Sequence, residues 1–160
     1  MLIKSPTPLD VPRLIDIAIE TFRPFYEDYV HPLMGDEVFR HQHGNWQADY
    51  QKDIPTLHAP DEGRYIAVAE MDASVVGFVS WRVGIKPSHG EIYLLAVLPT
   101  YRRLDVGHEL CTHAIDAMKS GGVDVVEIGT GGDDFHAPAR ALYESLGFTM
   151  IPVVAYLKQI

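Results

Sequence analysis

The order of hydrophobic patterns along the chain predicts an α+β domain, a mixed central β-sheet flanked by helices. Three observations carry this expectation. Residues 64–70 and 75–83 are β-rich runs joined by the short polar connection Met71-Asp72-Ala73-Ser74, and a third run follows Lys86-Pro87-Ser88-His89, so three consecutive strands form an antiparallel meander. The third run then feeds directly into a basic turn and a helix. Beyond that helix comes one more strand, helix and strand, so the order is not a uniform βαβ repeat.

From the start, Leu2-Ile3-Lys4 forms a short strand. Asp10 is placed to cap a first helix, with Pro12 tolerated in its first turn and Leu14, Ile15, Ala18 and Phe22 on one face; Pro24 ends it. The next stretch, Phe25 to Pro32, is aromatic and irregular, and either closes a core or lines a pocket. Asp36 caps a second helix that runs to about Ile54 through Phe39, Trp46 and Tyr50 despite Gly44, and Pro55 stops it. The third strand of the meander, Glu91 to Val97, is a buried strand bounded by Gly90 and Pro99. Val106, Leu110, Cys111, Ala114, Ile115 and Met118 recur at three- and four-residue intervals, the apolar stripe of a helix laid on the sheet. Gly121-Gly122 stops that helix, Val123 to Ile128 is a strand, and residues 129–134 form a glycine-rich loop. Ala139, Leu142, Tyr143 and Leu146 mark a short helix ending at Gly147, and Val153 to Leu157 reads as a last strand.

Length and composition set the outer bounds. The 160 residues, 47% of them apolar, suffice for one well-buried core, so residues 1–160 are expected to be a single domain. A formal charge of −9 argues against nucleic acid as a partner and favours a cationic or neutral small partner. The single cysteine, Cys111, lies on the apolar stripe and reads as a packing residue, with no disulfide available within the chain. No apolar run approaches the roughly 20 residues of a membrane span, which makes the cytoplasm the expected location.

The turn between strand and helix is the richest stretch in chemistry. Arg102 and Arg103 stand beside a helix N-terminus, whose free N–H groups and positive dipole end complete a site for phosphate. Val97-Leu98-Pro99-Thr100-Tyr101-Arg102-Arg103-Leu104-Asp105-Val106-Gly107 resembles the acetyl-CoA signature V-x-P-x-Y-R-x-x-G-x-G/A of the GNAT N-acetyltransferases. One marked position departs: Asp105 stands where the pattern has its first glycine. Asp tolerates a left-handed backbone better than most residues, but its carboxylate repels phosphate. A second stretch, His136 to Phe148, is similar to the family's N-x-x-A-x-x-L-Y-x-x-x-G-F, with Ala139, Leu142, Tyr143, Gly147 and Phe148 matching and His136 in place of Asn. Ordinary packing of Leu142 and Tyr143 is the alternative reading of that helix face.

The resemblance implies the GNAT fold and transfer of an acetyl group from acetyl-CoA to the primary amine of a small molecule or an exposed protein amino group. It implies a cofactor site built from Leu95, Ala96, Val97, Arg102, Arg103, Leu104, Asp105, Val106, Gly107, His108, His136, Ala139 and Tyr143. Tyr143 would protonate the departing thiolate, because a phenol is protonated at neutral pH and close enough to a thiol in acidity to share its proton. The amides of Leu95 to Val97 would hold the pantetheine arm and thioester oxygen where the strand splays from its neighbour. Glu91, six residues before Val97, is placed where several family members have a general base. Burial on an apolar strand would raise its pKa toward a useful range, whereas a position at the strand's exposed end would leave it structural. The ribosomal-protein acetyltransferases place their base at the position held here by Gly131.

Other constellations fail. The third glycine of a dinucleotide fingerprint beginning at Gly129 falls on Asp134, and neither His41 and His43 nor His108 and His113 have the spacing of a zinc pair, so no metal is expected. The expected partners are acetyl-CoA and an amine acceptor, with no nucleic acid or membrane and with homodimerisation left open. A non-catalytic acyl-CoA-binding module with the same fold is the alternative, favoured by Asp105 and His136.

Overall fold

The computed structural model describes residues 1–160. Five strands form one sheet in the order β1 (Leu2–Lys4), β2 (Arg64–Met71), β3 (Ser74–Val83), β4 (His89–Val97) and β5 (Val125–Ile128). The first three pairings are antiparallel and β4 runs parallel to β5 across helix α5 (Val106–Ser120), so the sheet is mixed as the pattern predicts. The β2–β3 hairpin closes through Asp72 and Ala73, both at positive φ (50° and 60°), the backbone that a two-residue turn needs to follow the strand twist.

Helices cover both faces. A Cβ at Gly77 would lie 3.4 Å from Leu110, and the Trp81 ring stands 6.0 Å from that of His113, so this face of β3 looks at α5. The alternate residue Ser80 borders a small cavity with Asp53 and Thr56 on the other face, where α1 (Val11–Pro24) and α4 (Trp46–Asp53) pack. Being covered twice, β3 is buried almost without a break, and Phe78, Val76 and Val79 are fully enclosed with Leu14 and Ile17 of α1 and Leu110 and Cys111 of α5. Burial pushes the Cys111 thiol up to about 12, which leaves it a neutral packing group.

Several local expectations are corrected. Asp10 does not cap α1 through its side chain; its carboxylate instead accepts from the Thr7 N–H at 2.7 Å and the Thr7 hydroxyl at 2.8 Å, closing a single turn ahead of the helix. Pro24 does not end the helical path. Lacking an N–H, it disturbs the ladder, and the chain continues as a wider π-helical turn, Phe25–Val30, with the His31 N–H donating to Tyr26 O, before α2 (His31–Met34). The second helix is two: α3 (Asp36–His43), which starts after Gly35 rather than at an Asp36 cap, and α4. A Cβ at Gly44 would sit 2.5 Å from Arg40 O, and the path breaks at this residue.

At the other end, Gly147 at φ 88° terminates α6 (Ala137–Ser145), with the Phe148 N–H reaching back to Tyr143 O at 3.0 Å. The expected strand at 153–157 is absent. No backbone hydrogen bond reaches residues 149–160, and Val153, Val154 and Tyr156 stand exposed; Pro152 removes a donor, and β-propensity without a ladder partner makes no strand. No helix is long and apolar enough to cross a membrane.

Candidate active site

The sheet opens at one point. The β4–β5 pairing ends at Ile92 and Ile128, while β4 continues to Val97 paired only with β3. A bulge at Ser80/Trp81 leaves Tyr93 as the extra residue on β4 and adds local twist at the point of separation. From Tyr93 onward one edge of β4 therefore carries no strand partner. A cleft of about 730 Å³ occupies the gap, bounded by Leu95 and Val97 on β4, Ile128 to Gly131 beyond β5, the N-terminus of α5 and one face of α6.

At the floor of this cleft the chain turns through Pro99–Tyr101 into α5. Arg103 and Asp105 both adopt left-handed backbone, at φ 61° and 57°. Asp105 thus occupies a conformation that glycine takes without strain, which is the physical reason a glycine belongs there in the signature. Its side chain makes no capping bond, so the first amides of α5 have no side-chain cap, and Val106, Gly107 and His108 border the cleft. Gly107 permits a close approach of two helices: a Cβ there would lie 3.2 Å from Leu142 of α6. Arg102 donates to Thr21 O at 3.4 Å and stands 6.0 Å from the centre of the Phe135 ring; partial removal from water lowers its pKa.

On α6, His136, Ala139 and Tyr143 fall on one face at intervals of three and four, and all border the cleft. Tyr143 is 9% exposed, and burial, with a smaller contribution from Cys111, raises its pKa so that the hydroxyl holds its proton at any physiological pH. His136 stands at the helix start. Its ring Nδ1 lies 2.8 Å and 3.0 Å from the two carboxylate oxygens of Asp133, and its backbone N–H donates to the same carboxylate at 3.1 Å. Burial works to raise the Asp133 pKa, but hydrogen bonds from His136 outweigh it and the net shift is downward. Arg140 donates to Gly131 O at 2.6 Å and to Asp133 O at 2.7 Å, which fixes the loop carrying the pair.

Of the residues singled out in the sequence, Leu95, Val97, Arg102, Arg103, Asp105, Val106, Gly107, His108, His136, Ala139 and Tyr143 come together around this one cleft. Three do not. Leu104 is 53% exposed on the outside of the turn, and Ala96, 1% exposed, is buried in the core opposite Phe78. Glu91 lies where β4 is still paired on both sides, with Arg82 on β3 and Glu127 on β5; its carboxylate accepts from the Arg82 guanidinium, and it does not border the cleft. That hydrogen bond in turn raises the Arg82 pKa.

The remaining wall was legible in the sequence only at Phe25 and Tyr26. Phe22, Phe25 and Tyr26 from the first helical path, Tyr50 from α4, Tyr93 and Phe135 converge on the cleft. Phe22 stacks on Tyr50 at 5.6 Å, Tyr26 on Trp46 at 4.6 Å, and Phe25 meets His136 edge-on at 4.6 Å. Of the two readings open for Phe25 to Pro32, lining a pocket holds for Phe25 and Tyr26. The cleft wall bears two arginines and one carboxylate, that of Asp105, so the net charge of −9 describes the outer surface and not the site.

Comparison with known proteins agrees with this geometry. Residues 12–148 match the family model described as "Acetyltransferase (GNAT) family". A mycothiol acetyltransferase of Sanguibacter keddieii is 30% identical over 145 residues, covering 86% of this chain and 45% of that protein; one from Beutenbergia cavernae is 44% identical over 66 residues, 41% of this chain and 22% of that protein. The chain thus spans less than half the length of these relatives. Among solved structures, the PaiA N-acetyltransferase of Thermoplasma acidophilum in complex with coenzyme A superposes with a TM-score of 0.73 at 17% identity, covering 96% of this chain and 92% of that one. A GNAT acetyltransferase of Brucella melitensis in complex with acetyl-CoA gives 0.65 at 18% identity, covering 93% and 82%. Fold, cleft and sequence match lead to one conclusion: the chain belongs to the GNAT family of acetyltransferases.

Proposed function

We propose that this domain transfers the acetyl group of acetyl-CoA to a primary amine, and that the acceptor carries an aromatic or otherwise apolar body. The observation that carries the reading is the convergence on one cleft of an unpaired β4 edge, an α5 N-terminus without a side-chain cap and a buried, protonated Tyr143. The α5 amides with Arg102 and Arg103 hold the pyrophosphate. The free edge of β4 from Tyr93 to Val97 holds the pantetheine arm and polarises the thioester carbonyl, and Tyr143 gives its proton to the departing sulfur. GNAT structures with coenzyme A or acetyl-CoA bound support this assignment of the ligand.

The acceptor enters from the other end of the cleft. Phe22, Phe25, Tyr26, Tyr50 and Tyr93 supply ring faces there and no carboxylate, which suits a flat apolar body better than a polycation. The relatives that resemble the chain are, by their name, mycothiol acetyltransferases, and this chain corresponds to less than half of the Sanguibacter keddieii protein. A panel of amines tests the reading. An arylalkyl amine should release CoA from acetyl-CoA with a higher kcat/KM than a polyamine of similar length, and the reverse order would sink the aromatic-acceptor proposal.

Asp105 offers a test of the cofactor end. Asp105→Gly removes a carboxylate from the phosphate site and relieves a left-handed backbone, two effects of the same sign. Acetyl-CoA should bind about fivefold more tightly, a change on the order of 1 kcal/mol measurable by calorimetry. Weaker binding would mean that the carboxylate holds the turn through contacts made only in the complex.

A further inference from the structure

The proposed reaction needs a group to take a proton from the attacking amine, and Glu91, tied to Arg82 outside the cleft, does not stand where it could do so. The cleft contains one histidine with a carboxylate on its ring nitrogen, His136 with Asp133. We propose that the His136–Asp133 pair is the general base of this domain: Asp133 holds the ring as the Nδ1–H tautomer, and the free Nε2 takes the proton from the acceptor amine. The proposal rests on the acetyl-transfer reading above.

Four features of the structure build this site. The Asp133 carboxylate engages both the ring Nδ1 and the His136 backbone N–H, so the ring's tilt and its tautomer are set together. Arg140 clamps the carbonyls of Gly131 and Asp133 and holds the carboxylate in place. Gly131 leaves room: a Cβ there would lie 2.1 Å from Asp133 Oδ2 and 2.5 Å from His136 Nδ1, so the pair fills the space a side chain at 131 would need. Phe25 and Phe135, with ring centres 4.6 Å and 4.9 Å from that of His136, wall the imidazole on two sides and leave Nε2 without a protein partner.

Placement along α6 suits the chemistry. His136 precedes Tyr143 by seven residues on the same helix face, roughly 10 Å at the helical rise of about 1.5 Å per residue. A hydroxyl, a thioester S–C bond, an amine nitrogen and an imidazole nitrogen in hydrogen-bonded sequence span about that length. The neutral amine attacks the thioester carbonyl and the C–N bond forms as one N–H proton passes to Nε2. The C–S bond then breaks with its electron pair on sulfur, which takes the Tyr143 hydroxyl proton. The imidazolium releases its proton through solvent, and the tyrosinate is reprotonated, so enzyme and protons return to the starting state. The charged group in contact with the ring is Asp133, with Arg140 holding its loop; Phe135 separates the ring from Arg102 and Tyr29, and Phe25 separates it from Tyr26.

The test uses His136→Asn and Asp133→Asn in the full chain, with three readouts. His136→Asn should lower kcat with the best amine by about 10²-fold and abolish the acidic limb of its pH profile, while the acetyl-CoA dissociation constant stays within about threefold of the parent. Asp133→Asn should lower kcat by a similar factor with acetyl-CoA affinity retained, because the amide lets the ring turn to the wrong tautomer. Nitrogen-15 NMR of the neutral ring in the parent should report the proton on Nδ1. A proton on Nε2, or an unchanged kcat with weakened acetyl-CoA binding, overturns the proposal, the latter making His136 a contact for the pantetheine arm. A parent that binds acetyl-CoA but turns over no amine defeats the acetyl-transfer reading instead, and the NMR result then decides whether the pair is built as described.

Discussion

Tyr143→Phe is expected to slow acetyl transfer by about 10²-fold while acetyl-CoA affinity and fold persist, the loss typical of removing one general acid. The substitution is clean for structural reasons. Tyr143 is 9% exposed, its ring meets Phe148 at 6.2 Å, and Phe keeps both the burial and that contact. Only the hydroxyl goes. Because burial raises its pKa, this hydroxyl is fully protonated over the working range, so the parent's kcat should show no alkaline fall below pH 9 that belongs to Tyr143. Rapid-quench measurement of the chemical step checks the first expectation. A variant that transfers acetyl at the parent rate would leave transfer to positioning alone, with the thiolate protonated by water.

The largest effect on stability is expected at Phe78. It is fully buried in β3, opposite Ala69's neighbour Val68 on one side and Ala96 on the other, within the core that unites α1, the sheet and α5. Phe78→Ala should cost about 3–5 kcal/mol, the range for deleting a large aromatic from a packed core. Urea denaturation measures it, and a shift under 1 kcal/mol would mean that the surrounding core collapses into the space. The cleft should loosen with the core, since β3 is the sole strand partner of β4 beyond Ile92.

How much of this was legible in the sequence follows from how local each feature is. The meander, the β4–α5 turn and the α6 face were readable because alternation, glycine placement and the signature residues lie close together in the chain. The splay of β4 from β5 came with the family resemblance, and the register shows where it begins, after Ile92 and Ile128. The π-helical turn was not readable. Pro24 is a stop by local rules, yet a helix packed on a sheet continues past it by widening one turn, and that widening helps bring Phe25 and Tyr26 to the cleft.

Most of the aromatic wall escaped because its members come from four separate stretches, at Phe22 to Tyr26, Tyr50, Tyr93 and Phe135, and outside Phe25 and Tyr26 each is an ordinary packing residue in its own segment. Glu91 is a different case. Its distance from Val97 matches a family position, but two-sided pairing at this level of β4 and the Arg82 opposite it decide where the carboxylate goes. Asp133 left a signal that could have been used: an Asp three residues before His136 is placed to accept from that residue's N–H at the start of a helix. The strand expected at 153–157 failed because propensity speaks only of the chain itself, whereas a strand needs a neighbour.

Acetyl transfer to an amine yields two products that can be followed together. The protein is incubated with acetyl-CoA and an arylalkyl amine while released CoA thiol and N-acetylated amine are quantified together, the second by mass spectrometry. Both should appear, one for one, and neither should appear without protein. Tight binding of acetyl-CoA with no acetylated product from any amine in the panel would contradict it and make the domain an acyl-CoA-binding module.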